Sequence, residues 1–393
     1  MKKIVVLGAS GSIGRQTLDV CSHLNSLHPQ RQIEICAMTA NQDWRFLAEA
    51  ARRFRPGIVA LADAGHLSKL RAALADLPIQ VSGGKEALIA AAAQPDADLV
   101  VAAISGLAGL EPLIAALSAG VKQIALANKE TLVAAGELVS GLARQNKTSL
   151  LPLDSEHSAL WQCLRGERQK EVAALILTAS GGPFRGWSRE QLAKVTPEQA
   201  LAHPKWRMGA KISVDSATMV NKGLEIIEAH WLFNMPYDQI EVLVHPQSIV
   251  HSLVRFEDGS LKALLSQPDM RLPIQYALCG KKRCQSASAA LDLAALGRLD
   301  FCGPDQDAFP AMAMFRQAGR MGGTAAAYLN GANEFLVRSF LDGKIRFISI
   351  SDILGRLLLG YNNREAAAFT DIFAADCQGR QDAAWAVSSS DNA

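Results

Sequence analysis

The chain opens on "KIVVLG", a short run of apolar β-type residues, and for about 150 residues it repeats that pattern with amphipathic helical stretches between. "RQTLDVCSHL", "WRFLAEAARRF", "LSKLRAALADL", "GLEPLIAALSAG" and "TLVAAGELVSGLARQ" alternate with "IEICAMT", "GIVAL", "ADLVVAA", "QIALAN" and "SLLPLD". Several of these strands are apolar throughout, as strands buried on both faces are. Strand–helix alternation at this rhythm specifies a doubly wound, Rossmann-like parallel sheet. With 393 residues the chain is too long for one core, so further domains must follow.

From about residue 154 the rhythm changes. A strand, "ALILTAS", precedes a loop rich in Gly, Pro and Trp, a long helix "SVDSATMVNKGLEIIEAHWLF", and two strands joined at Asp258-Gly259, a hairpin turn signal. The expected second domain is α+β with an open antiparallel sheet, the third is helical, and "SSSDNA" is a frayed end. The boundaries expected are 1–153 for a nucleotide-binding domain, 154–280 for a catalytic domain, 281–305 for a linker and 306–393 for a C-terminal helical domain.

Composition excludes some partners. A net charge of +2 calls for neither nucleic acid nor an anionic membrane. Seven scattered cysteines without CxxC spacing suggest free thiols in a reducing compartment. The longest uncharged apolar stretch, "LVVAAISGLAGL", is far short of a membrane span, and "MKKIVVLG" runs into glycines before any signal-peptide core develops. A soluble, cytoplasmic protein is expected.

The first strand ends in "GASGSIG", placing Gly8, Gly11 and Gly14 at the turn into a helix. In a chain-initial βαβ unit this arrangement lets backbone approach a dinucleotide pyrophosphate at a helix N-terminus. The second strand ends "AMTANQDW" with no acid until Asp43, slightly late for a ribose contact. That favours NADPH over NADH, although the only nearby cation in this stretch is Arg45.

"ALANKETL" puts Asn128, Lys129 and Glu130 beyond a strand's carboxyl end, where ligands of open α/β sheets bind, or at a plain helix start. "LDSEHS" brings Asp154 and Glu156 to a strand end two residues apart, so both side chains can point to one side, unless they merely cap the next helix. Asn221, Lys222 and Glu225 share one helix face, either as a phosphate and ligand cluster or as a surface ion pair. "TASGGPF" is a cradle candidate with Ser180, and "HPKWRMG" reads as a lid. His245 and His251 on "HPQSIVHS" are read as structural.

Taken together, "GASGSIG", "LANKE", "LDSEH", "SGGPF", "HPKWRMGAKISVDSATMVNKGLE" and "QPDMR" resemble, in order across residues 1 to about 340, the 1-deoxy-D-xylulose 5-phosphate reductoisomerases. The resemblance implies a homodimeric, NADPH-dependent enzyme that needs Mg²⁺, Mn²⁺ or Co²⁺. Its substrate would be a small sugar phosphate, rearranged and reduced to 2-C-methyl-D-erythritol 4-phosphate in the non-mevalonate isoprenoid pathway. It further implies that Ser10, Gly11, Ser12, Ile13, Asn128, Glu130 and Gly209 touch the cofactor. Lys129, Ser155, Glu156, Ser180, His203, Ser216, Asn221, Lys222 and Glu225 would bind substrate. Asp154, Glu156 and Glu225 would hold the metal, and these three with Lys129 and His203 would be catalytic. Trp206 and Met208 would lie on a closing loop. Where family members often carry Gly-Lys-Asn or similar, this chain has Asn41-Gln42-Asp43, and no contact to the 2′-phosphate is assigned there. Two other readings use the same residues: a simple NADP-dependent dehydrogenase of a related sugar phosphate, and a metal-dependent phosphatase or isomerase.

Overall fold

The computed structural model describes residues 1–390 apart from Arg31, Arg207 and Lys281. The chain forms two compact units. The first comprises Met1–Thr131, Val139–Ser158 and Asp269–Ala289; the second comprises Leu132–Leu138, Ala159–Pro268 and the chain from Ala290 onward.

In the first unit seven strands, β1 (Lys2–Leu7), β2 (Ile33–Ala40), β3 (Ile58–Leu61), β4 (Gln80–Gly83), β5 (Leu99–Ala102), β6 (Gln123–Leu126) and β7 (Ser149–Pro152), form one sheet in the order β4-β3-β2-β1-β5-β6-β7. Every neighbouring pair is parallel. The order reverses at β1, so the topological switch point falls between β1 and β5, beside the glycine-rich turn. The central strands are apolar because helices cover both faces: Ile4, Val5, Val6 and Leu7 are buried, as are all of Leu99–Ala102. The helix Trp44–Phe54 shows how the sequence sets a boundary. Asp43 accepts from the Phe46 N–H to cap its start, Leu47, Ala48, Ala50 and Ala51 bury one face, and Arg55 closes it in the left-handed conformation. β4 was not expected; with Val81 its only apolar residue, it offers no hydrophobic run and stays at the sheet's edge. Asp269–Ala289, which the sequence reading spread over the catalytic domain and the linker, joins this unit, where its helix Arg271–Leu278 packs on the helix Ser12–Leu27.

The second unit contains a four-stranded sheet of β8 (Val172–Ala179), β9 (Ile240–Val244), β10 (Val250–Phe256) and β11 (Leu261–Leu265), ordered β11-β10-β8-β9. The β10–β11 hairpin and the β10–β8 pair are antiparallel, as expected, but β8 and β9 run parallel, so the sheet is mixed. A crossover through the helix Val220–Phe233 makes that parallel pair possible. The helices Ala311–Met321, Ala325–Leu341, Phe347–Gly360 and Phe369–Ser390 complete the unit. They close one core with the sheet, in which Phe184, Phe315, Phe340 and Phe347 are almost fully buried. The last helix runs through Ser388–Ser390 of the expected frayed end, and 391–393 lie outside the described residues.

The helix expected over 213–233 is two. Ala210–Ala217 ends at Thr218, and Val220–Phe233 begins after Met219, whose φ of 61° is left-handed. No glycine or proline marks the break, and a non-glycine residue holds such a φ only where packing imposes it.

Candidate active site

The glycine-rich turn is built for close approach. Gly8 has φ +80°, and a Cβ there would lie 2.5 Å from the Ala103 carbonyl oxygen; one on Gly14 would lie 2.2 Å from that of Gly8. The Gly8 N–H donates to Thr39 Oγ1 and the Ala9 N–H to the Thr39 carbonyl, tying the turn to β2. The helix Ser12–Leu27 then starts at Gly11 without any side-chain cap, so its first N–H groups are left for a ligand, and Gly11 and Ser12 are exposed. Ser10 and Ile13 flank them, half-buried. These features fit a dinucleotide pyrophosphate.

Across the switch point, Asn128 caps the helix Lys129–Gln145 through Oδ1, which accepts from the Thr131 N–H at 2.9 Å. Its Nδ2 donates to the carbonyls of Ile104 and Gly106. The Asn128 side chain therefore latches the β5 and β6 loops together at the cofactor end of the sheet. Glu130 is buried beside it.

Lys129 and Asp154 meet in the same unit. Lys129 Nζ lies 3.2 Å from Asp154 Oδ2, with only 7% and 15% of the two side chains exposed, and His157 Nδ1 approaches the same oxygen at 3.2 Å. Asp154 and Glu156 do not sit on an extended strand end. β7 stops at Pro152 and a helix, Ser155–Cys163, starts at once, with the Asp154 carbonyl accepting from the Ser158 N–H. Glu156 instead accepts from the Ser155 hydroxyl. His157, buried on this helix, is a partner that sequence reasoning passed over; its place directly after the two acids was the available signal.

In the second unit the other charged cluster forms around the carboxyl end of β8. Lys222 is buried, pairs with Glu225 and donates to the Thr178 carbonyl. Asn221 donates to Glu225 from one helical turn away. A surface ion pair is thereby ruled out, because both charges are almost fully enclosed. Ser180, just past β8, accepts from the Gly182 N–H and lies 2.9 Å from His203 Nε2. His203 Nδ1 accepts from the N–H groups of Lys205 and Trp206, so the ring carries its proton on Nε2 and donates to Ser180. Burial holds the His203 pKa below the usual histidine value, which keeps this neutral tautomer. Gly182 passes Ser216 so closely that a Cβ would lie 2.9 Å from its carbonyl oxygen. Ser180, His203, Ser216 and Lys222 thus gather at one strand end, while Gly209 caps the helix that carries Ser216.

Trp206 and Met208 are half-buried in the loop before Gly209, the Trp206 ring 6.5 Å from that of His251; Arg207 lies outside the described residues. His251 Nε2 bonds Ser266, and His245 Nδ1 bonds the Asp300 carbonyl while its ring stacks on Phe301, as structural histidines do. Sequence reasoning also missed Asp215. It is buried, is held by Lys211 at 2.9 Å and Asn333 at 2.8 Å, and so fixes the helix before Met219 to the C-terminal helices of its own unit.

A dinucleotide turn on a doubly wound sheet, with acids and buried lysines on the elements that follow it along the chain, is the arrangement of a dinucleotide-dependent enzyme. Known proteins give the same answer more narrowly. Residues 4–136 match the family model for 1-deoxy-D-xylulose 5-phosphate reductoisomerase, 150–233 its C-terminal domain, and 265–382 the DXP reductoisomerase C-terminal domain. The reductoisomerase of Symbiobacterium thermophilum is 50% identical over 96% of both chains, and that of Ralstonia nicotianae 50% over 97% of both. Among solved structures, the Zymomonas mobilis reductoisomerase in complex with NADPH superposes with a TM-score of 0.91 at 43% identity, covering 98% of this chain and 99% of that one. A DOX-P reductoisomerase bound to NADPH, fosmidomycin and magnesium also reaches 0.91, at 38% identity over 99% and 98%. The chain belongs to the 1-deoxy-D-xylulose 5-phosphate reductoisomerase family.

Proposed function

We propose that this chain converts 1-deoxy-D-xylulose 5-phosphate to 2-C-methyl-D-erythritol 4-phosphate with NADPH and a divalent metal, the committed step of the non-mevalonate isoprenoid pathway. The observation that carries this reading is similarity over nearly the whole length of both chains to reductoisomerases, including structures that hold NADPH and magnesium.

In this reading Asp154, Glu156 and Glu225 hold the metal, here Mg²⁺, Mn²⁺ or Co²⁺. An oxygen-only donor set without cysteine suits a hard cation. When bound, the metal supplies Lewis-acid polarisation of the substrate carbonyl, and NADPH supplies hydride for the aldehyde produced by rearrangement. The chain's own residues do the rest. Lys129, beside Asp154, and Ser155 and Glu156 receive the substrate's oxygens. Lys222, Asn221, Ser216 and Ser180 donate to its phosphate, and the neutral His203, whose Nε2–H donates to Ser180, completes that pocket. Ser10, Gly11, Ser12, Ile13, Asn128, Glu130 and Gly209 position the cofactor, and the loop with Trp206 and Met208 excludes water from the aldehyde. Residues 1–153 together with 269–289 would serve as the NADPH domain, 159–268 as the catalytic and dimerisation domain and 306–390 as its helical part, which leaves only 290–305 of the expected linker as linker. Identifying the product by NMR tests this: a reduced but unrearranged sugar would mean a plain dehydrogenase, and dephosphorylation without NADPH oxidation a phosphatase.

We also place the enzyme in the cytoplasm as a homodimer. Its seven cysteines are free, and no helix among the described residues is long and apolar enough to cross a membrane. In the second unit's sheet β11 is an edge strand with Leu261 57% exposed, a surface that calls for a cover. Sedimentation at micromolar concentration should give twice the chain mass of 42.1 kDa. A monomer would count against the dimer.

A further inference from the structure

We propose that Arg15 reads the 2′-phosphate of NADPH, taking the place of the basic residue that the β2 loop lacks; the proposal rests on the NADPH reading above. The loop after β2 runs Asn41-Gln42-Asp43, and its one acid is already engaged. Asp43 Oδ1 accepts from the Phe46 N–H, and Oδ2 lies 2.9 Å from Arg15 Nη2. An acid after the second strand selects NADH when it is available to the ribose hydroxyls, whereas an arginine there accommodates a 2′-phosphate. Here the acid is spent on a helix cap, and its charge is matched by an arginine from a different element.

Arg15 is on the first turns of the helix Ser12–Leu27, four residues past Gly11 of the pyrophosphate turn. Its guanidinium is held from three sides. Nε donates to the Ser10 carbonyl at 2.7 Å, Nη2 to Asp43, and the Phe46 ring lies 3.7 Å from the guanidinium carbon. Only two of its five N–H donors engage described residues, and 47% of the side chain is exposed. A flat, permanently charged donor is therefore preorganised at the junction of the glycine turn and the end of β2, with donors to spare for a phosphate. Arg45, the alternative cation, is not arranged in this way. It lies 5.1 Å from the Trp44 ring centroid on its own helix and makes no hydrogen bond with any described residue.

Calorimetric binding of the substrate-free enzyme to NADPH, NADH, 2′,5′-ADP and 5′-ADP tests this without turnover. Wild type should bind NADPH more tightly than NADH. Arg15→Met should weaken NADPH and 2′,5′-ADP about 10- to 100-fold, the range of one charge-assisted hydrogen bond, and leave NADH and 5′-ADP within about twofold. Asp43→Asn keeps the cap, removes a negative charge beside the phosphate, and should tighten NADPH while leaving NADH unchanged. Arg45→Ala should leave all four unchanged. An equal loss of NADPH and NADH in Arg15→Met would mean that Arg15 only shapes the turn, and would overturn the proposal. Discrimination lost in Arg45→Ala but kept in Arg15→Met would overturn it as well. Wild-type enzyme that binds both cofactors equally would instead remove the NADPH reading, and the proposal with it.

Discussion

Replacing Asp154 with asparagine should lower turnover by about three orders of magnitude while leaving the enzyme folded. The side chain has two jobs. In the structure it faces Lys129 and His157 at 3.2 Å each, and its main-chain carbonyl starts the helix Ser155–Cys163. Asparagine keeps the shape, the main-chain contact and an acceptor for Lys129, so the stability cost should be about 1–2 kcal/mol, that of one weakened hydrogen bond. What it loses is the negative charge. If that charge holds the metal, the Lewis-acid contribution of several kcal/mol goes with it, and about 4 kcal/mol is a factor of about 1000 in rate. Two measurements separate the roles: the thermal midpoint reports the fold, and the magnesium concentration for half-maximal activity should rise. Near-normal turnover in a folded Asp154→Asn enzyme would show that Asp154 is only a cap and ion-pair partner.

The second large effect is expected at Lys222. Its ammonium is enclosed, paired with Glu225 and bonded to the Thr178 carbonyl, two residues before Ser180. Lys222→Ala should raise KM for the sugar phosphate about 10- to 100-fold, because a charge-assisted bond to a buried phosphate is worth roughly 1.5–3 kcal/mol. Stability should fall too, since removing one partner strands the buried Glu225 charge, a change that typically costs about 3–5 kcal/mol. Kinetics are therefore measured well below the variant's own melting temperature. The informative quantity is the split between constants: KM for the sugar phosphate should rise far more than KM for NADPH. A destabilised variant with an unchanged substrate KM would leave Lys222 a purely structural residue.

These effects were legible in the sequence to different degrees. The first sheet could be read almost strand by strand, since its central members are uniformly apolar and punctuated by turns. β4 escaped because an edge strand with a single apolar residue carries no hydrophobic signal. The acids at 154 and 156 were visible as a chemical oddity after an apolar run, yet their local geometry was not; the switch from β7 to a helix within three residues leaves no periodicity to read. The break at Met219 was equally hidden, because it is imposed by packing and lacks a helix-breaking residue. Long-range pairings stay outside any local reading. Arg15 reaches Asp43 across 28 positions, and Asp215 meets Asn333 across 118. Those two contacts come from the fold alone, and the first of them is the one on which the proposal for Arg15 rests.

The most direct test follows NADPH absorbance at fixed 1-deoxy-D-xylulose 5-phosphate, before chelation, after exhaustive EDTA treatment, and after magnesium is restored. Oxidation of NADPH should depend on the sugar phosphate, stop in the chelated enzyme and return with the metal. NADPH oxidation that continues at the original rate after exhaustive chelation would contradict a metal held by Asp154, Glu156 and Glu225.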